Sequence, residues 1–247
     1  MQTDFSSLSL LGSTEKDILL KRSQKDFPWL ESEDFFDFNK ALGEEDYIQK
    51  SQDDEAISGG NLSPGMILSA YKHSFFPWFS EEDPIIWFSP CLRFVIDKDS
   101  FHIPSRLKRE IKKADFRISL DSAFDQVIEN CALIKREGQK GTWITDDMVQ
   151  AYRILHKIGF AHSIEAWRGN ELAGGFYGLY INEVFIGESM FSKISGASKT
   201  AFALFAQDFF ENKKGILIDA QIPSENIKRF GGFKIPRNRY LGILNSL

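Results

Sequence analysis

Hydrophobic positions change their spacing repeatedly along the chain, and each change marks the passage from one element to the next. Residues 1–58 alternate acidic runs (GSTEKD, GEEDY, SQDDE) with short apolar clusters (FPWL, DFFDF) and hold no sustained period. They read as a partly ordered acidic arm or as loop and helix fragments. The pattern changes at Gly59-Gly60-Asn61-Leu62-Ser63-Pro64, where the glycines supply a turn and Ser63 caps a helix with Pro64 at its first position. That helix is expected over 64–73. Ile85–Phe88 and Leu92–Ile96 read as strands interrupted by Ser89-Pro90. Leu107 and Ile111 stand four apart, so they share one face of a helix over 104–113, and Phe116–Leu120 alternates as a strand. Asp121 or Ser122 is expected to cap a helix whose apolar face is Phe124, Val127, Ile128 and Cys131. After a loop at Gly138–Gly141, Thr145 caps a helix striped with Met148, Tyr152, Leu155 and Ile158, ending at Gly159. Three strands then follow in a meander, Ala161–Trp167, Leu172–Tyr180 and Val184–Phe191, joined by turns at Arg168–Glu171 and Asn182-Glu183. Helix 196–212 repeats Phe202, Phe205, Ala206 and Phe209 at helical spacing. A strand over Gly215–Gln221, a short helix from Ser224 and a basic tail close the chain.

An antiparallel meander feeding a helix and then a strand predicts an α/β fold, by analogy a GCN5-related N-acetyltransferase-like domain over 98–247. A smaller N-terminal α+β domain is expected over 59–97, with 1–58 as an acidic extension. Hydrophobic residues make up 43% and charged residues 26% of 247, which excludes disordered and fibrous classes. No apolar run reaches 18 residues and no basic leader precedes the first apolar stretch, so neither a membrane span nor a secretory signal is expected. Cys91 and Cys131 are too few for a disulfide framework or a metal centre and read as buried thiols of a reducing compartment, the cytoplasm. Nothing in the pattern demands an obligate dimer, and a monomer is expected.

Net charge of −5 argues against a nucleic-acid partner until its distribution is considered. Residues 1–60 hold 14 acidic and 6 basic side chains, whereas Phe101–Arg117 holds six Lys or Arg against two acids. Arg106, Lys108, Arg109, Lys112 and Lys113 spread over most of one helix surface. They form either a solvated face or a track for phosphates. The 23 Phe residues admit two readings, a Phe-rich core or the lining of an apolar ligand pocket.

Two acids stand inside apolar strands, which costs several kcal/mol unless they are paired. In Gly215–Gln221, period-two alternation puts Asp219 and Gln221 on one face, roughly 7 Å apart. Asp219 is either a satisfied core acid or an acid that orients the Gln221 amide toward a reacting group. Glu188 follows Gly187, a residue that could mark a bulge and re-aim the carboxylate; a salt-bridged or edge-facing Glu is the alternative. The four histidines show no metal spacing and no G-x-S-x-G is present, so neither a metal centre nor a serine hydrolase is supported. The stretch Ser192–Lys199 ahead of helix 196–212 contains a single Gly, a weak signal for coenzyme A. A coenzyme A-dependent N-acyltransferase is therefore the alternative function rather than the leading one.

Six strings in order, GGNLSP with AYKHSFFPWFSEEDPIIWFSP, GTWITDDMVQAYRILHKIGFAHSIEAWRGNELAGGFYGLY, FIGESMFSKISGASKTA, LIDAQ and GGFKIPRNRYL, resemble the leucyl/phenylalanyl-tRNA–protein transferases from Gly59 to Leu247. Residues 1–58 are not covered. The resemblance implies transfer of Leu or Phe, and Met less readily, from aminoacyl-tRNA to the N-terminal Arg or Lys of a protein, creating an N-degron, with no cofactor. It implies Asp219 and Gln221 as catalytic residues, with Glu188, from a fully matching GESMF, as a third polar residue of the catalytic set and Ser189 beside it as a substrate-binding residue. The donor pocket maps to Trp143, Tyr152, Phe176 and Phe185, and the basic helix Arg106–Lys113 to the tRNA-facing helix. Phe176 stands where some members have Met. Ala220 stands where Cys is common, Asn61 where Asp is usual, and Cys91-Leu92 where the family has Asp-Pro.

Overall fold

The computed structural model describes residues 3–4, 38, 47–134 and 144–245. In chain order the elements are β1 (Thr3–Asp4), α1 (Tyr47–Lys50), β2 (Glu55–Ser58), α2 (Pro64–Lys72), β3 (Phe76–Pro77), β4 (Ile86–Ser89), β5 (Leu92–Asp97), α3 (Ser105–Lys113), β6 (Arg117–Leu120), α4 (Phe124–Leu133) and α5 (Asp146–Lys157). They continue as β7 (Ala161–Arg168), β8 (Glu171–Ile181), β9 (Val184–Ser192), α6 (Ala197–Glu211), β10 (Leu217–Asp219), α7 (Glu225–Lys228), β11 (Phe233–Pro236) and α8 (Arg237–Asn245). Contacts divide the chain into two compact units. One comprises 1–10, 94–134 and 160–234, and the other 11–93, 135–159 and 235–247. The expected division at 97/98 is sequential, whereas the contact division interleaves, because α5 and the C-terminal helix belong to the unit that holds residues 11–93.

The first unit is built on a mixed α/β sheet in the order β1-β6-β7-β8-β9-β10-β5, with β11 at the outer edge. The meander β7-β8-β9 is antiparallel, as the alternation predicted, and β10 lies parallel to β9 and antiparallel to β5. The tight turn between β8 and β9 has Asn182 and Glu183 both at positive φ, the backbone that a two-residue hairpin needs. Gly178 allows β8 and β9 to meet: a Cβ there would stand 2.2 Å from the Ile186 carbonyl oxygen. Helix α6 lays Phe202, Phe205 and Phe209 on the sheet, where all three are buried. Residues of the acidic extension enter this unit as β1, which pairs parallel with β6.

The cap of α4 departs from expectation. Its N-cap is Ala123, without a side-chain hydrogen bond. Asp121 instead accepts from the Ser163 N–H at 2.9 Å and pairs with His162 at 2.7 Å, at φ +53°. The helix start is held from the neighbouring strand by fully buried Glu165, whose carboxylate accepts from the N–H groups of Ser122 and Ala123 at 3.4 Å and from the hydroxyls of Ser119 at 2.6 Å and Ser163 at 2.5 Å.

The second unit carries a three-stranded antiparallel sheet, β2-β4-β3, with α1, α2, α5 and α8. Its local punctuation follows the sequence: the Ser63 hydroxyl accepts from the Met66 N–H at 3.2 Å, and Thr145 does the same for Met148 at 3.3 Å. The core joins Phe38, Phe75 and Trp87, with the rings of Phe38 and Phe75 stacked 4.9 Å apart. Two buried arginines brace it. Arg93 donates to the Ser74 carbonyl at 2.9 Å and lies between the rings of Phe76 and Tyr240. Arg237, at the start of α8, donates to the carbonyls of Pro90 and Asp53. The basic tail expected from the sequence is thus β11 and α8, tied down by one of its own cations. Of the two thiols expected to be buried, Cys131 is buried and Cys91 is half-buried.

Candidate active site at the parting of two strands

Pairing between β9 and β10 runs through Val184–Leu217, Phe185–Ile218 and Ile186–Asp219, and ends there. On the other side of β9, Ser189 pairs with Tyr177 and Gly187 with Gly178, so Glu188 has no ladder partner. Glu188 is the extra residue of a β-bulge, as Gly187 suggested. The bulge turns its carboxylate out of the strict alternation and toward the chain leaving β10.

That chain is not the seven-residue strand expected from its apolar run. The ladder stops at Asp219, Ile216 is 38% exposed, and Gln221 has φ +61°. Period-two alternation therefore does not relate Asp219 to Gln221. The left-handed conformation is favoured by a short bond: Asp219 Oδ1 accepts from the Gln221 backbone N–H at 2.7 Å, while the Gln221 carbonyl accepts from Phe94 N–H at 3.1 Å. Non-glycine residues pay about 1–2 kcal/mol in this region. The Gln221 amide Nε2 donates to Glu188 Oε1 at 3.0 Å. Asp219 accordingly holds the backbone of Gln221, and Glu188 orients its amide; the expected Asp219-to-amide contact is replaced by this division of labour. All three side chains are buried. With Nε2 committed, Gln221 Oε1 accepts no hydrogen bond among the described residues.

The same strands carry the apolar candidates. Phe176 on β8 and Phe185 on β9 meet edge to face at 5.9 Å, and Phe176 touches Phe202 at 5.7 Å and Phe205 at 5.5 Å. Phe185 lies 4.6 Å from Phe205, and Phe202 lies 4.9 Å from Phe230. The sequence reading placed Phe202, Phe205 and Phe209 on a helix face without adding them to the pocket; their helical spacing was the signal that they meet whatever β8 and β9 present. Ser189 is buried next to Glu188. Tyr152 belongs to the other unit, where it is fully buried with its hydroxyl 2.8 Å from that of Tyr71. Trp143 lies outside the described residues. In that second unit Trp78 is 42% exposed with its ring 5.3 Å from Phe88, an aromatic surface of the kind on which bases stack. The sequence reading passed over it inside FFPWF.

Helix α3 buries Leu107 and Ile111 and exposes Arg106, Lys108, Arg109, Lys112 and Lys113. Only Arg106 has a salt-bridge partner among the described residues, Glu110 at 2.8 Å. Lys112 and Lys113 occupy the last turn, where the helix dipole favours cations. No group of three or more metal-ligating side chains occurs among the described residues, and no described helix is long and apolar enough to cross a membrane.

Known proteins share this arrangement of sequence. The model of the leucyl/phenylalanyl-tRNA protein transferase family matches residues 95–245, and that of its N-terminal domain matches 60–91. A leucyl/phenylalanyl-tRNA–protein transferase of Escherichia coli O157:H7 (strain EC4115 / EHEC) is 47% identical over 189 residues, 76% of this chain and 79% of the relative. Another of that name, from Anaeromyxobacter sp. (strain K), is 45% identical over 186 residues, 75% of this chain and 79% of the relative. A solved structure of a conserved protein of unknown function from Bacteroides thetaiotaomicron VPI-5482 aligns over 56% of each chain with a TM-score of 0.40 and 12% identity, below the level at which a shared fold follows. On the two family models and the length and identity of these matches, the chain belongs to the leucyl/phenylalanyl-tRNA–protein transferase family.

Proposed function

We propose that this chain transfers Leu or Phe, and Met less readily, from aminoacyl-tRNA to the α-amine of a protein or peptide beginning with Arg or Lys, acting as a cytoplasmic monomer that needs no cofactor. The product carries the N-terminal residue of an N-degron. The region over 98–247 then serves as an acetyltransferase-like transfer domain, preceded in the chain by a small N-terminal domain over 59–97. The observation that carries the reading is the amide of Gln221, fixed by Glu188 at 3.0 Å where β9 and β10 part, on strands whose preceding residues are the apolar Phe185 and Ile218.

The reaction is aminolysis of an ester. The acceptor nitrogen attacks the aminoacyl carbonyl carbon, a C–N bond forms, the C–O bond to the ribose breaks, and the ribose oxygen leaves with a proton while the amine loses one. An α-amine with pKa near 8 is already neutral in appreciable fraction at pH 7, so the protein's main task is to hold it against the ester. Such positioning supplies about 7–11 kcal/mol. Gln221 Oε1 is the acceptor for an N–H of the attacking amine. Glu188 and Asp219 are positioning residues, one for the amide plane and the other for the backbone that carries it. Glu188 also places negative charge where a basic first residue arrives. The Phe176–Phe185–Phe205 cluster receives the donor side chain, and α3 receives the tRNA backbone.

A purified transfer assay tests this reading: Leu-tRNA or Phe-tRNA offered with peptides beginning Arg, Lys, Asp or Glu. Extension of the Arg and Lys peptides alone is expected. Extension of the Asp or Glu peptides would reassign the acceptor, and acylation from acetyl-coenzyme A with no use of charged tRNA would replace the proposal by the same-fold acyltransferase.

A further inference from the structure

A cleft of about 300 Å³ opens in the first unit between the start of α3, the entry to α6 and the exit from α7. Three cations from these three elements, Arg106, Lys199 and Arg229, line it against one carboxylate, Glu110, which is already paired with Arg106. Lys199 and Arg229 have no salt bridge or side-chain hydrogen bond among the described residues. The floor is apolar: Leu107 and Phe230 are buried, and Phe230 rests on Phe202 at 4.9 Å. Asn226 adds an amide at the rim. At Gly196 the backbone is open, since φ is +84° and a Cβ there would meet nothing within 4 Å, so a ligand can approach the first turn of the 15-residue α6 closely.

Resting on the reading of the chain as a tRNA-dependent transferase, we infer that this cleft seats one nucleotide of the donor RNA's unpaired 3′ end, its phosphate on Lys199 and Arg229 and its sugar or base over Leu107 and Phe230. Cations alone would suit any phosphate; the apolar floor and the rim amide suit a phosphate that brings a sugar and a base with it. The volume is at the lower end for small-molecule sites and fits one unit rather than a duplex. Arg106 joins the cleft to the exposed cations of α3, so the basic track runs into it. Gly196 is eight residues from Glu188, and Arg229 is eight from Gln221. A chain of that length spans at most about 29 Å, an upper limit on how far either cleft wall lies from the acid–amide pair.

The test uses the full-length protein and uncharged tRNA, either intact or trimmed of its unpaired 3′ nucleotides. Binding is followed as a function of salt, for wild type, Lys199→Gln with Arg229→Gln, and Arg229→Gln alone; the last changes an exposed side chain and leaves the fold intact. Each phosphate contact on a single strand contributes about 0.7 to the slope of log affinity against log salt. The double variant is expected to lower the slope for intact tRNA by about 0.7, the single variant by no more than that, and neither to change the slope for trimmed tRNA. Equal losses on both RNAs, no loss on either, or coenzyme A binding that these substitutions abolish while RNA binding stays unchanged would overturn the assignment. Wild-type protein that shows the predicted slopes but never extends a peptide supports the cleft and overturns only the transferase reading.

Discussion

Gln221 and Glu165 show opposite uses of a buried polar group. Gln221 is held in a conformation that costs energy, and its neighbours exist to hold it: Asp219 Oδ1 on its backbone N–H at 2.7 Å and Glu188 on its amide at 3.0 Å. Glu165 does the reverse, lending its carboxylate to the open end of α4 and to two serine hydroxyls. Burial raises its pKa above 4.5, and the hydrogen bonds from Ser119, Ser163, Ser122 and Ala123 oppose that rise without cancelling it. The folded chain therefore keeps the Glu165 proton to a higher pH than the unfolded chain. Its contribution to stability is complete below pH 4.5 and is lost as pH rises through the folded value. Denaturant titrations of wild type and Glu165→Gln from pH 4 upward should show the wild type's advantage shrinking as pH rises. An advantage that grows with pH would mean that the hydrogen bonds dominate and the carboxyl is held ionised.

At the scale of elements, the site depends on β9 and β10 pairing as far as Asp219 and then parting, with α6 filling the apolar side. Phe176 faces Phe185, Phe202 and Phe205 together, so its shape sets the depth of the cluster. Phe176→Met is close to volume-conserving and should cost less than about 1.5 kcal/mol in a melting experiment. Its flexible side chain should change the ratio of kcat/KM for Leu-tRNA over Phe-tRNA by about 10-fold or more, within the 1–3 kcal/mol that such pocket changes provide. An unchanged ratio would place the donor side chain elsewhere. The sequence made the meander, the capping by Ser63 and Thr145, and the bulge at Glu188 legible, because each is encoded within a few residues of itself. The cap of α4 was not legible, since it comes from Glu165 on another strand. Neither was the turn at Gln221: nothing local announces positive φ in an apolar run, and the stabilising bond comes from Asp219 only once the ladder has stopped. The bracing roles of Arg93 and Arg237 were equally hidden, because both depend on carbonyls and rings far away in sequence.

Along the chain, charge is unevenly distributed: residues 1–60 carry 14 acids against 6 bases, while α3 and the cleft it borders collect cations within the first unit. A protein of net charge −5 can thus bind a polyanion through one face. The extension contributes strands to both sheets, β1 in one unit and β2 in the other. The central claim is that these parts serve one amide at the end of β10. Single-turnover transfer from Phe-tRNA to an Arg-initiated peptide tests it most directly, comparing wild type with Gln221→Gly and following tRNA affinity and melting in parallel. Glycine removes the strain of φ +61° along with the amide. The account predicts a variant that stays folded, binds tRNA equally well and transfers about 10²-fold or more slowly. A glycine variant that transfers at the wild-type rate would contradict it.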